Sequence, residues 1–154
     1  MRYLLAAAVA LWPLNAVAQY ARPGWASQAT EQSYDALLQA VVSAANAHGM
    51  AVVTQAGPTE AAAARGITLP GNRVIGVFNN DYAVRVLTLS PAAMIEAPIR
   101  FYVTENEDGT ATLSYKTPSF VLDPYFEEGG EELAEIAAEL DAIFAAIAAT
   151  ATEG

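Results

Sequence analysis

Residues 98–118, Pro98-Ile99-Arg100-Phe101-Tyr102-Val103-Thr104-Glu105-Asn106-Glu107-Asp108-Gly109-Thr110-Ala111-Thr112-Leu113-Ser114-Tyr115-Lys116-Thr117-Pro118, form two alternating runs around an Asp-Gly pair. This is the pattern of a β-hairpin, with Gly109 suited to the left-handed position of the turn. Opposed residues of an antiparallel pair share a face, so the loop length sets which side chains meet. A loop of Glu107 to Gly109 pairs Asn106 with Thr110, and a loop of Glu105 to Gly109 pairs Thr104 with Thr110. Either register puts Ile99, Phe101 and Val103 on one face with Ala111, Leu113 and Tyr115. A two-residue Asp108-Gly109 loop would separate those apolar sets and is disfavoured. The opposite face then carries Arg100, Tyr102, Thr104, Thr112, Ser114 and Lys116: polar, with two cations.

The chain before the hairpin is read outward from it. Asn79-Asn80-Asp81 offers caps for a helix through Tyr82, Val86 and Leu89, ended by Ser90-Pro91, and Pro91 opens a further turn through Met94 and Ile95. Arg73 to Phe78 is apolar on consecutive residues, as in a strand buried on both faces, and Gly76 suggests close approach of another backbone. Met50 to Gln55 is a short strand, followed by a small helix from Glu60 to Arg65. Tyr34, Leu37, Leu38, Val41, Val42 and Ala45 recur at helical spacing, which predicts a helix over 31–47 with Thr30 as its N-cap. Gln19 to Ser27 lacks periodicity and reads as part of a leader, residues 19–29.

After the hairpin, Ser119 to Phe126 is apolar but irregular, a loop packed across the core. Glu127-Glu128-Gly129-Gly130 is a hinge or turn, and a last helix begins near Glu131. Its Leu133, Ile136, Leu140, Ile143 and Ile147 make a stripe suited to lying on a sheet. The expected architecture is α+β: a single domain over 30–150, order α-β-α-β-α-β-β-α, with a four-stranded sheet, a central hairpin and helices on one face or both.

Met1 to Trp12 is a positively charged start followed by a short apolar run, and Ala16-Val17-Ala18 is a small-residue cleavage pattern. This predicts a signal peptide over residues 1–18, cleaved after Ala18, and a periplasmic or secreted mature protein. The run falls short of the roughly 20 residues that span a bilayer. The chain of 154 residues has a net charge of −10, and cleavage removes Arg2 to leave −11. Such a charge disfavours nucleic acid and anionic membrane surfaces as partners. With no cysteine, thiol chemistry, thiolate metal sites and cysteine-linked haem are excluded.

The run from His48 to Pro118 resembles the bacterial and archaeal family known as domain of unknown function 302. The likeness rests on Gly49 before the first strand, on Ala64-Arg65-Gly66-Ile67-Thr68-Leu69-Pro70, and on Val77-Phe78-Asn79-Asn80. It also rests on Ala97-Pro98-Ile99-Arg100 and on Asp108-Gly109 through Tyr115-Lys116-Thr117-Pro118. The resemblance implies a small α+β sandwich, often dimeric, and no particular reaction. This chain departs from the family's usual pattern in carrying Thr54-Gln55 for Asp-His, Phe78-Asn79-Asn80-Asp81 for Phe-Gly-Asn-Pro, Leu87 for a methionine, and Arg100 for a lysine.

No motif calls for a metal or cofactor. The single His48 sits at a helix end without a second ligand at metal spacing. The acids Glu105, Glu107 and Asp108 are those of a solvated turn, and Glu127, Glu128, Glu131 and Glu132 those of a charged helix start. The remaining candidate is the polar hairpin face. Arg100, Lys116, Tyr102 and Ser114 converge there, and Asn80 at a strand-to-helix junction adds polar contacts. Arg100 offers a bidentate fork for a small anion or carboxylate. The plainer reading of the same face is a solvated sheet surface whose cations pair with nearby acids; dimer contact comes next, and a ligand site after it. Three functions follow as expectations. One is a non-enzymatic exported domain, homodimeric, binding a small anionic ligand or a partner protein. Another is a hydrolase or isomerase with acid–base chemistry near Arg100. The last is an assembly factor using its acidic C-terminal helix.

Overall fold

The hairpin register is the one with the three-residue tip. Phe101 faces Tyr115, Val103 faces Leu113 and Glu105 faces Ala111 across strands β4 (Ile99–Glu105) and β5 (Thr110–Lys116). The Asn106 amide donates to the Thr110 carbonyl, and Gly109 takes φ 83°. The Asp108 carboxylate accepts from the hydroxyl and amide of Thr110, which hold it below the usual carboxylate range.

The computed structural model describes residues 22–153, so the expected signal peptide lies outside the described residues. The sheet has five strands, in the order β1-β5-β4-β3-β2. The additional strand is β1 (Trp25–Ser33), where the sequence suggested a leader and a helix start. It pairs antiparallel with β5, Trp25 against Lys116 and Ser27 against Ser114, and covers an edge the hairpin would otherwise expose. Thr30 therefore caps no helix; its hydroxyl donates to the Ala111 carbonyl. Helix α1 (Tyr34–Ala47) starts three residues later than expected, with Ser33 as N-cap. The domain accordingly begins before residue 30.

Strands β2 (Ala51–Ala56) and β3 (Asn72–Phe78) complete the sheet, β2 at its edge. Between them α2 (Thr59–Ala63) is shorter than expected. Helix α3 (Asn80–Leu89) has Asn79 as its N-cap, accepting from the amides of Asp81 and Tyr82. A 3-10 turn at Ala92–Glu96 follows, where Pro91 predicted one. The expected loop after Pro118 is instead α4 (Pro118–Leu122) and a 3-10 turn, Asp123–Tyr125. Thr117 caps α4 and proline occupies its first turn, a start signal present in the sequence. The last helical stretch, α5 (Phe126–Thr152), is broken at Gly130 (φ 67°, ψ −162°): a short helical turn precedes the expected glycine hinge, and the long helix runs on from there, near Glu131 as expected.

Helices α1 and α5 pack on one face of the sheet. Leu37 and Val41 of α1 and Ile136, Phe144 and Ile147 of α5 meet Ile75, Phe101, Val103 and Leu113, all of them 0–1% exposed. Phe144 stacks on Phe101 with ring centroids 4.6 Å apart, and Tyr115 tilts against both. On the expected stripe of α5, Ile143 is only partly buried while Phe144 goes fully inside. Strand β3 is interior in order but not buried on both faces: Val74, on the side away from the helices, is half-buried. Gly76 does allow a close approach, though by the Thr54 hydroxyl and the Pro98 ring rather than by another backbone.

At the solvent side of the helical layer, Arg85 of α3 forks onto Glu139 of α5 at 2.8 and 3.0 Å, and the Tyr82 hydroxyl donates to the same carboxylate at 3.0 Å. The Arg85 guanidinium, then the Tyr82 hydroxyl, draw the Glu139 pKa from 4.5 to about 2. A depressed carboxylate pKa contributes stability above its ordinary value, and that contribution is lost as pH falls through the folded one. An NMR titration of the side-chain carboxyls is expected to place the Glu139 midpoint near 2, and Arg85→Ala to move it up toward the ordinary carboxylate value. Removing the central ring by Phe144→Ala is expected to cost about 3–5 kcal/mol in denaturant unfolding, since it leaves a cavity between α5 and the hairpin.

Candidate functional site

The face away from the helices is built from cross-strand rows, because every ladder in the sheet is antiparallel and alternate residues share a side. Extending the β4–β5 register by one residue sets Arg100 opposite Lys116. Trp25 adjoins Lys116 on β1, Gly76 adjoins Arg100 on β3, and Thr54 adjoins Gly76 on β2. One row thus reads Trp25–Lys116–Arg100–Gly76–Thr54. The next reads Ser27–Ser114–Tyr102–Val74–Ala56.

These rows floor two adjoining depressions. The larger, about 400 Å³, is lined by Trp25, Asn72, Arg100, Tyr102 and Lys116 among others. The smaller, about 300 Å³, reaches Thr54, Ala56 and Ile95. Val74, Glu96 and Arg100 line both, so Arg100 stands where the two meet. A further space of about 50 Å³ between α3, α5 and the core is enclosed chiefly by apolar side chains, including Met50, Leu140 and Phe144. It has the character of a packing void and is far smaller than ordinary ligand sites.

The charges of this face are unusual for the chain. Arg73 pairs with Glu60 and Arg85 with Glu139, while the Arg65 side chain turns back onto the Ala61 carbonyl. The Arg100 side chain has no hydrogen-bond partner and no acid partner within 4 Å among the described residues. Lys116 lies 6.0 Å from the Phe120 ring, and Arg22 sits 5.7 Å over Trp25. Like charges set directly opposite on neighbouring strands repel. The arrangement therefore carries an unfavourable local term that a bound anion would relieve.

The polar groups around the cations are organised. The Asn72 side-chain amide donates to the Tyr102 hydroxyl oxygen at 2.5 Å, which leaves the hydroxyl proton of Tyr102 available. Glu96 is half-buried, and one of its oxygens accepts from the Tyr125 hydroxyl at 2.9 Å, an interaction that raises the Tyr125 pKa.

Of the residues singled out from the sequence, Arg100, Lys116 and Tyr102 come together in the larger depression. Ser114 shares their face but is 1% exposed, its hydroxyl 2.9 Å from that of Ser27, and serves the floor. Thr104 and Thr112 are likewise buried, so this face is not uniformly solvated. Asn80 is exposed at the start of α3 and lines neither depression; Asn79 makes the junction's polar contacts. His48 ends α1 and lies 2.9 Å from the Thr150 hydroxyl. The missed contributors are Trp25, Asn72, Val74 and Glu96. Trp25-Ala26-Ser27-Gln28-Ala29 has no apolar–polar alternation to mark a strand, and nothing local marks Glu96.

A two-layer α+β domain with helices on one side and a cationic groove on the other is the class these observations define. The family described as Domain of unknown function DUF302 matches residues 26–149, and the chain belongs to it. Its fold is similar to that of an uncharacterized conserved DUF302 protein from Bacillus stearothermophilus, known from a crystal structure. The TM-score is 0.71 at 19% identity, over 82% of this chain and 96% of that one. No curated protein matches the sequence. Thr54 and Arg100 fall in one cross-strand row, on either side of Gly76.

Proposed function

We propose that this chain is an exported, non-enzymatic, homodimeric domain that holds a small anionic ligand in the groove over Arg100. The observation that carries the reading is the pair Arg100 and Lys116. They lie side by side on the open face of a protein of net charge −10, and Arg100 has no acid partner among the described residues. Water and counter-ions satisfy such a pair in the free protein, and an anion fitted between them replaces both. The acid–base alternative would use a carboxylate held near neutrality in the groove. The two carboxylates with shifted pKa values, Asp108 and Glu139, are both lowered, and neither lines the groove.

The edge strand β2 supports the homodimer. It carries no charged side chain over Ala51–Ala56, five of its six residues are exposed, and Val53 keeps 50% of its surface in solvent. An uncharged edge is a template for strand pairing with a second copy, and pairing there would leave the groove open.

Thermal unfolding in a panel of small anions at constant ionic strength tests the ligand reading. At one hundred times the dissociation constant, a bound anion stabilises by about 2.7 kcal/mol. The expected result is a raised Tm for at least one anion, lost in Arg100→Ala. Identical responses from the two proteins would remove the site. Light scattering tests the assembly: a dimer is expected, and Val53→Lys is expected to give a monomer. A strict monomer in the unaltered protein would remove the dimer alone.

A further inference from the structure

The larger depression contains more than two cations, and its composition narrows the ligand. Among the residues that line it, Arg100 and Lys116 contribute two positive charges and Glu96 one negative, a single positive excess, with Arg22 over Trp25 outside that lining. Val74 in the floor, with Trp25, Ile99 and Val121, supplies an apolar lining, while Tyr102 offers a hydroxyl proton not committed to Asn72. We infer that the groove takes a monocarboxylate with a flat apolar or aromatic body. This inference rests on the anion-binding reading above and specifies its chemical class.

The chemistry of each group supports that class. A carboxylate has two oxygens and about four lone-pair sites. The fork of Arg100, the ammonium of Lys116 and the hydroxyl of Tyr102 are donors of the kind those oxygens accept, and the guanidinium suits planar, bidentate contact. Asn72 orients the phenol by donating to its oxygen, which leaves the phenol proton free to be donated to the ligand. A phosphate dianion matches less well. It would exceed the single positive excess of the lining residues and leave the apolar wall without a partner. A bare acetate would satisfy the donors but not cover the wall. A ring bound between Trp25 and Tyr102 would do both, since aromatic pairs gain beyond the area they bury. The depression of about 400 Å³ is within the ordinary range for small-molecule sites.

Calorimetric titration of the purified protein with phenylacetate, phenylacetamide, acetate and inorganic phosphate decides the matter. Phenylacetate is expected to bind about tenfold or more tightly than acetate or phosphate, and the neutral amide to bind no better than acetate. Arg100→Gln and Tyr102→Phe are each expected to weaken phenylacetate by about tenfold. Val74→Phe adds bulk to the groove floor at a half-buried position outside the core. It is expected to abolish binding with the circular-dichroism spectrum unchanged, which keeps the test independent of the charged variants. Phosphate or acetate binding as tightly as phenylacetate, with the loss in Arg100→Gln retained, would leave an anion site and overturn the carboxylate class. Phenylacetamide binding as tightly as phenylacetate would also overturn it. Failure of the folded protein to bind any of the three anions would overturn both the class and the site.

Discussion

The structure depends on the register of β4 against β5. Pairing Phe101 with Tyr115 presents both rings to Phe144 of α5, forming the centre of the core. Because side chains alternate along a strand, the same register turns Arg100, Tyr102, Ser114 and Lys116 to the other side. A slip by one residue would put cations against Phe144 and Leu113 in contact with solvent, at a cost no surface interaction offsets. Core and groove are thus two consequences of one pairing.

The remaining elements extend this division. Strand β1 lengthens the sheet beside β5 and adds Trp25 to the row of cations, while β3 and β2 extend it on the other side with Gly76 and Thr54. Gly76 matters because a Cβ there would collide with the Thr54 hydroxyl and the Pro98 ring. The turn at Ala92–Glu96 brings Ile95 and Glu96 beside the sheet and makes a wall of what would be flat surface. The acidic residues are placed differently. Glu139 joins α5 to α3 through Arg85 and Tyr82, and Glu105 accepts from the Gly71 amide at 2.6 Å, so both acids serve packing between elements.

Membership in a family of undetermined function leaves the groove as the place where this chain's chemistry is legible. The conserved fold in the Bacillus stearothermophilus protein at 19% identity shows how little of the sequence the architecture demands. What it demands is alternation in the strands and a few large side chains inside. The groove-facing positions are not under that demand, which is where the proposed ligand site lies.

Local pattern by itself determined the hairpin, its two faces, the α+β class, the capped start of α3 and the turn after Pro91. Each follows from contacts within a few residues or from the period of the apolar side chains. Arg100, Tyr102 and Lys116 were legible as neighbours for the same reason, since one hairpin carries all three. Tertiary structure alone decided the fifth strand: residues 25–33 have weak propensity and become a strand because β5 offers an unpaired edge 80 or so residues away. It also decided that Phe144 rather than Ile143 fills the core, because helix rotation about its axis is set by what the sheet presents. And it decided the groove, whose walls Trp25, Asn72 and Glu96 come from three distant segments that no local pattern joins.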